Sequence, residues 1–359
     1  LLVDSGLRLT SGPDSVPEVR VYMPMPGSKE EEEGDSVFEQ LFKKLPNKYQ
    51  LLGSRREGSE AQLWKVRMDG PGATLLHTDT TDAGGWFRSS VRSLCTDIQA
   101  SAKRNADGTI TVPLFIKTPN SLFGAGIGGD AGMEKWLPNP LANTQDHLDR
   151  FRFIGGLMGS AARTSSFFEI DMPSLIWKHI LGEKIGPHEV ADIDARVAQQ
   201  LEAGSPALSE AEWDAQETVY WSVRLVNGRV LAVRGDGSAV QYAERTSWAA
   251  ACLETWEKQF CEQLQAIRDG FYGVFPELST RLLTWRELER RVSGQPDVSV
   301  EALKKIARYE SGYRADDPYI AQFWTAIESM TGLERKMFLG FCWGRGRLPP
   351  HPTQPLTID

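Results

Sequence analysis

The chain has 359 residues, 41% of them hydrophobic and 25% charged, with a formal net charge of -8. That length allows two or three domains with sizeable cores, and the composition is ordinary for a soluble globular protein. The acidic balance weighs against a nucleic-acid backbone as a direct partner, and no apolar run of about 18 residues offers a membrane span. The first residues lack a signal-peptide pattern, and a chain starting Leu1-Leu2 reads as a fragment or processed product. Cys95, Cys252, Cys261 and Cys342 stand far apart without a CxxC unit, and the five histidines form no ligand motif. No metal or cofactor is therefore expected, and a reducing cytoplasmic or nuclear compartment is the expected location.

Residues 1–35, with the acidic run Glu30–Glu33, read as an irregular arm or linker. Ser36 followed by Glu39 predicts a capped helix carrying Phe38, Leu41, Phe42 and Leu45 on one face, ended by Pro46. The alternation of Gln62–Arg67 predicts a strand, and Asp82–Arg88 a tight turn into a helix with Phe87, Val91, Leu94, Cys95 and Ile98 inside. A short strand is expected at Thr109–Val112, stopped by Pro113. Ser121–Gly132 reads as a glycine-rich loop. A helix over His147–Arg163 should bury Leu148, Phe151, Ile154, Leu157 and Met158, while its small residues Gly155–Ala162 invite close approach of another backbone.

Residues 171–240 read as a small mixed subdomain. A helix follows Pro173, and short strands around Val219–Leu225 are separated by the turns Asn227-Gly228 and Asp236-Gly237. A long helix is predicted from Ser247 to Gly270, with Leu253, Trp256, Phe260, Leu264 and Ile267 on its apolar face. Further helices are expected at Ser279–Arg291, Ser299–Tyr309 and Pro318–Met330, with a polar connection at 308–316. Phe338–Trp343 reads as a buried strand leaving the core through a basic, glycine-rich turn at 344–347.

Several competing sites are weak. Gly124–Gly129 spells GxGxxG, but no strand precedes it and no P-loop lysine follows, so it reads as a surface loop. His77-Thr78-Asp79 and the Ser166/His179 combination lack a nucleophile-elbow pattern. Arg345 and Arg347 could meet an acidic surface, or could simply stabilise a turn.

Taken in order, these landmarks resemble the HECT-type E3 ubiquitin ligases. Asp82-Ala83-Gly84-Gly85-Trp86-Phe87-Arg88 is similar to that family's early Asp-x-Gly-Gly-x-x-Arg segment, and Phe153–Ala161 to its internal glycine-containing helix. Gln265–Phe271, Phe323-Trp324, Arg335–Phe341 and Arg347-Leu348-Pro349 complete the order, and the wording at 157–159 and 343–345 is closest to large HERC-related members.

The resemblance implies an α+β, bilobal fold: a mainly helical N-lobe over 36–307, a hinge at 308–316 around Tyr309, Gly312 and Tyr313, and a partial mixed C-lobe over 317–359. It implies a ubiquitin-conjugating enzyme, ubiquitin and a protein substrate as partners. The conjugating enzyme would bind at 171–240, with Trp213, Tyr220, Trp221 and Leu225 as either interface anchors or core of the subdomain. Ubiquitin would pass through a cysteine thioester to a substrate lysine. The family's nucleophile is expected in a Cys-Phe-like segment beyond Asp359, with Cys342 a weaker candidate whose apolar neighbours favour a structural thiol. A catalytically silent scaffold that keeps only the recruiting lobe is the alternative.

Overall fold

The computed structural model describes residues 18–19, 35–45, 65–66, 85–99, 111–123, 135–164, 168–235, 237–295, 298–343, 346–348 and 355–358. The GxGxxG run, His77–Asp79, Ser166, Arg345 and most of the expected N-terminal arm lie outside the described residues.

Strand β1 (Glu18–Val19) pairs in parallel with β2 (Lys65–Val66), inside the stretch expected to be a strand. Between them in sequence, α1 (Val37–Lys44) starts as predicted: the Ser36 hydroxyl accepts from the Glu39 N–H at 3.2 Å and Phe38 and Leu41 are buried. Helix α2 (Gly85–Ile98) buries Phe87, Val91, Leu94, Cys95 and Ile98, the face read from the sequence. Of the strand expected at 109–112, residues 109 and 110 lie outside the described residues. Thr111–Pro113 has no regular structure, and β3 (Phe115–Lys117) forms after the proline. Its partner fixes its position: β4 (Trp136–Pro138) pairs antiparallel with Phe115–Lys117. The short α3 (Pro119–Phe123) lies between them in sequence.

Helix α4 (Gln145–Arg163) is the central element, buried almost without interruption from Phe151 to Ala162. Its small-residue stretch does what its composition predicts. A side chain on Gly155 would collide with the Ile267 carbonyl, and one on Gly270 with the Arg152 carbonyl. The two helices therefore cross backbone to backbone, which only glycine permits.

After α5 (Ser174–Leu181) come three short helices, α6 (Pro187–Ala191), α7 (Ala195–Glu202) and α8 (Glu210–Asp214). The antiparallel hairpin β5 (Ser222–Arg224) and β6 (Val230–Ala232) follows, so this stretch mixes helices and strands. The single helix expected from 247 to 270 is two: α9 (Arg245–Lys258) and α10 (Cys261–Tyr272). At the break the Phe260 N–H turns to the Glu257 carbonyl, while Gln259 Nε2 donates to the Trp256 carbonyl. The apolar face runs straight through the break, so periodicity alone does not register it.

Helix α11 (Glu277–Thr280) is one turn, and α12 (Trp285–Ser293) starts at a Thr284/Glu287 capping box rather than at Ser279. These elements, from Val37 to Val292, share one hydrophobic core.

A second, smaller core joins Val298, Leu303, Ile320, Trp324, Ile327, Leu339, Leu348 and Leu356. It is built from α13 (Val300–Ile306), β7 (Ala307–Tyr309), α14 (Pro318–Ser329), α15 (Gly332–Trp343) and β8 (Leu356–Ile358). The helix expected to run to Tyr309 stops at Ile306, because Ala307–Tyr309 pairs in parallel with β8, about fifty residues away in sequence. The buried strand expected at 338–343 is a second correction: it is the last half of α15, and Phe341 is 90% exposed. A Thr331/Glu334 capping box opens that helix, with the Glu334 N–H bonded to Thr331 Oγ1 and the carboxylate returning to the Thr331 N–H at 2.7 Å. With that start, helical period explains why Leu339 is inside and Phe341 outside. The molecule is α+β and mainly helical, its sheets all two-stranded pairs among the described residues.

Candidate functional site

Trp213, from 171–240, and Tyr242 and Trp248, just after it, form an aromatic lattice beneath a hairpin. Trp213 stands edge-on to both Tyr242 and Trp248, ring centroids 6.5 Å apart in each pair. The Tyr242 hydroxyl donates to the Leu208 carbonyl at 3.0 Å, and Arg245 lies over the Tyr242 ring while reaching the Pro206 carbonyl. Trp248 Nε1 donates to the Tyr220 carbonyl at 3.0 Å, and Gln200 Nε2 to the Ser222 carbonyl at 2.8 Å. Helices α7 and α9 thus hold the outward edge of β5. Gln259 Oε1, at the break between α9 and α10, accepts from the Val226 N–H and anchors the hairpin tip.

This lattice divides the four expected interface residues. Trp213 and Trp221 are buried and pack into the main hydrophobic core. The Trp221 ring is covered by the Arg234 guanidinium at 3.7 Å, itself paired with Glu244 at 3.1 Å. Leu225 is half-buried against the same core, and Tyr220 is 53% exposed. Of the four, Tyr220 presents a large apolar surface to solvent.

The sequence reading missed Val230 and Leu231, which are 61% and 43% exposed and sit beside the exposed Arg224 and Arg229. From Val219 to Arg234 the chain carries three arginines and no acid. That pattern of β-branched residues and arginines around Asn227-Gly228 was the available signal.

The cysteines offer no activated nucleophile. Cys95 is fully enclosed, and burial together with the neighbouring Glu169 carboxylate pushes its thiol well above the usual range. Burial raises Cys252 to about 12, and its Sγ donates to the Ser222 carbonyl. Cys261 and Cys342 are exposed residues, yet desolvation raises both thiols, with Glu257 adding to the effect at Cys261. A thiol that accepts an acyl group at neutral pH needs the opposite shift, toward the thiolate. Cys342 lies on α15 and not in a buried strand, but its surroundings do not favour ionisation. His179 is held neutral by burial and by Arg268, and it has no nucleophile beside it among the described residues.

The expected hinge residues lie inside the second core's framework. Tyr309 is in β7, its hydroxyl accepting from Trp324 Nε1 at 3.0 Å. Ser311 and Gly312 both have positive φ, and the Tyr313 N–H closes the turn onto the Glu310 carbonyl at 3.0 Å. The turn links β7 to α14, both of which contribute to the second core.

That cluster is tied to the main body by the turn at 346–348. Arg347, only 4% exposed, is paired with Asp171, the Gly346 N–H donates to Glu169 at 2.9 Å, and the Gln295 N–H bonds the Leu348 carbonyl at 2.7 Å. Of the two readings open for Arg347, the turn-stabilising one matches this geometry. Glu289 borders the same cluster; burial raises its pKa against the opposing pull of Arg347 and Lys135.

Comparison with known proteins bears on these features. The profile of the HECT-domain (ubiquitin-transferase) family matches residues 111–359. The chain is 29% identical over 290 residues to the E3 ubiquitin-protein ligase HERC2 of Homo sapiens, covering 80% of this chain and 6% of that protein. The Mus musculus HERC2 is 28% identical over the same share. The E3 ubiquitin-protein ligase HACE1 of Homo sapiens is 30% identical over 207 residues, 57% of this chain and 23% of that protein. The chain thus spans a small part of the length of these relatives.

Proposed function

The chain belongs to the HECT-domain (ubiquitin-transferase) family, and we propose that its described residues are the part of such a transferase that recruits a ubiquitin-charged conjugating enzyme. The family match across 111–359 carries this reading, because it spans the whole small unit that presents the exposed hairpin. In the full reaction a cysteine thiolate of the transferase attacks the thioester carbonyl joining ubiquitin to the conjugating enzyme. A new thioester forms and the conjugating enzyme's thiolate leaves. A substrate lysine amine then attacks that thioester, forming an isopeptide bond, expelling the transferase thiolate and releasing one proton. None of the four cysteines present is assigned the acceptor role, since each thiol is held toward its protonated form.

For the recruiting surface, Tyr220 is the direct contact and Leu225 its half-buried support, with Trp213 and Trp221 holding the hairpin from beneath. An exposed tyrosine on a rigid base loses little entropy on docking. No observation favours the silent-scaffold alternative.

The test is calorimetric titration of the protein with a panel of conjugating enzymes. Binding to at least one is expected, and Tyr220→Ala should weaken it about tenfold or more, as for an interface anchor. No binding across the panel would sink the recruiting role; unchanged affinity in the variant would sink the assignment to Tyr220. Intact-mass analysis after incubation with charged conjugating enzyme adds a separate check. A thiol-reducible ubiquitin adduct mapped to Cys95, Cys252, Cys261 or Cys342 would overturn the assignment of the acceptor.

A further inference from the structure

The two outer edges of the hairpin differ. On β5 the outward carbonyls are occupied, Tyr220 by Trp248 Nε1 and Ser222 by both Gln200 Nε2 and Cys252 Sγ. On β6 the register pairs Ser222 with Ala232, Val223 with Leu231 and Arg224 with Val230. The Leu225 N–H donates to the Arg229 carbonyl and the Val233 N–H to the Trp221 carbonyl. Hydrogen-bonded and non-bonded pairs alternate in an antiparallel ladder. Leu231 therefore points its backbone groups at β5, while Val230 and Ala232 point theirs away from it. Neither residue's N–H or C=O has a hydrogen-bond partner among the described residues. All three residues of the strand are exposed.

An open strand edge with apolar side chains is a template for another strand. Here it is also charged on one sign. Arg224 shares the outer face with Val230, Arg229 precedes it, and neither arginine forms an ion pair among the described residues. Arg234, by contrast, is spent on Trp221 and Glu244. We propose that the outer edge of β6, Val230–Ala232, is a strand-addition site for an extended, acidic segment of a protein partner. The segment pairs its backbone with the Val230 and Ala232 N–H and C=O groups, sets a β-branched residue against Val230, and places a carboxylate on Arg224 or Arg229. This goes beyond recruitment of a conjugating enzyme, which rests on Tyr220.

The probe is a fluorescein-labelled peptide, Asp-Glu-Val-Thr-Val-Asp-Glu, followed by fluorescence anisotropy with the whole chain. Two forms N-methylated on alternate amides block one or the other edge of the peptide strand. Binding of the parent peptide is expected, with one methylated form retained and the other weakened by about tenfold or more, since it loses the hydrogen bonds to both the Val230 and Ala232 carbonyls. Ala232→Pro removes the outward N–H without touching the ladder to β5, and should weaken the parent peptide by a similar factor. Arg229→Glu should weaken it and flatten its dependence on salt.

If the parent peptide does not bind, the proposal is overturned. It is equally overturned if both methylated forms bind alike, because the contact would then be electrostatic and not a paired strand. Sedimentation showing a dimer that Ala232→Pro dissolves would give the edge to a second copy of this chain instead. The methylated probes need no variant, so a misfolded Ala232→Pro protein leaves the test intact. Titration of a conjugating enzyme on the same sample separates the two readings: peptide binding lost with enzyme binding kept sinks only the strand-addition site, and the converse sinks only the recruiting role.

Discussion

The α4–α10 crossing and the β5–β6 hairpin are built on opposite terms. At the crossing, two helices meet with backbone against backbone at Gly155 and Gly270, and no atom can be added. In the hairpin, one edge is stitched to α7 and α9, and the other exposes three consecutive apolar residues. The crossing spends its surface on internal order; the hairpin keeps surface in reserve. A rigid interior that fixes one edge of a strand pair makes the other edge a defined, preorganised surface, which lowers the cost of docking onto it.

The largest effect should come from breaking the closed region. Gly270→Val would drive a side chain into the Arg152 carbonyl and separate the helices, costing more than about 4 kcal/mol. Loss of a cooperative thermal transition by circular dichroism is the expected readout, and a variant melting near the parent would mean the helices do not cross so closely.

Next come two residues that looked alike in sequence. Trp213→Ala removes a buried ring set between Tyr242 and Trp248 and should cost about 3–5 kcal/mol. Tyr220→Ala should cost less than about 0.5 kcal/mol, in keeping with its exposure. Parallel denaturant titrations measure both, and equal losses would erase the distinction between lattice and surface.

Arg347→Ala would strand Asp171 and leave the 346–348 turn without its clamp. The Asp171 carboxylate is about a third exposed, so the loss should fall near the lower end for a buried pair, about 3 kcal/mol. Hydrogen exchange should rise in 298–343 before it rises in α4; uniform exchange would show that the turn does not couple the two cores.

The smallest effect concerns Glu289. Its pKa is raised in the folded state by burial, so the folded protein holds its proton more tightly than the unfolded chain. Stability then falls as pH rises through the interval from the ordinary carboxylate value to the raised one, and the deficit persists above it. Glu289→Gln should remove that slope and stabilise the protein slightly at neutral pH. A variant less stable than the parent at pH 7 would show that the carboxylate's attraction to the nearby Arg347 and Lys135 charges outweighs its desolvation.

Much of this architecture is legible in local chemistry. The capped start at Ser36, the apolar faces of α1, α2 and α14, and the close approach at Gly155 all follow from a few neighbouring residues, because helix period and steric size are local properties. The order of short motifs identifies the family for the same reason. Capping boxes at Thr284 and Thr331 were equally local signals; reading them would have started α12 correctly and turned Phe338–Trp343 from strand into helix.

What sequence could not decide is everything that depends on a distant partner. Phe115–Lys117 is a strand because Trp136–Pro138 lies beside it, and Ala307–Tyr309 because Leu356–Ile358 does. Trp213 and Tyr220 are both aromatic residues of one small unit, yet Trp248 covers the first and takes only the backbone carbonyl of the second. Composition and period assign residues to a face; only the packed neighbours decide whether that face is core or surface.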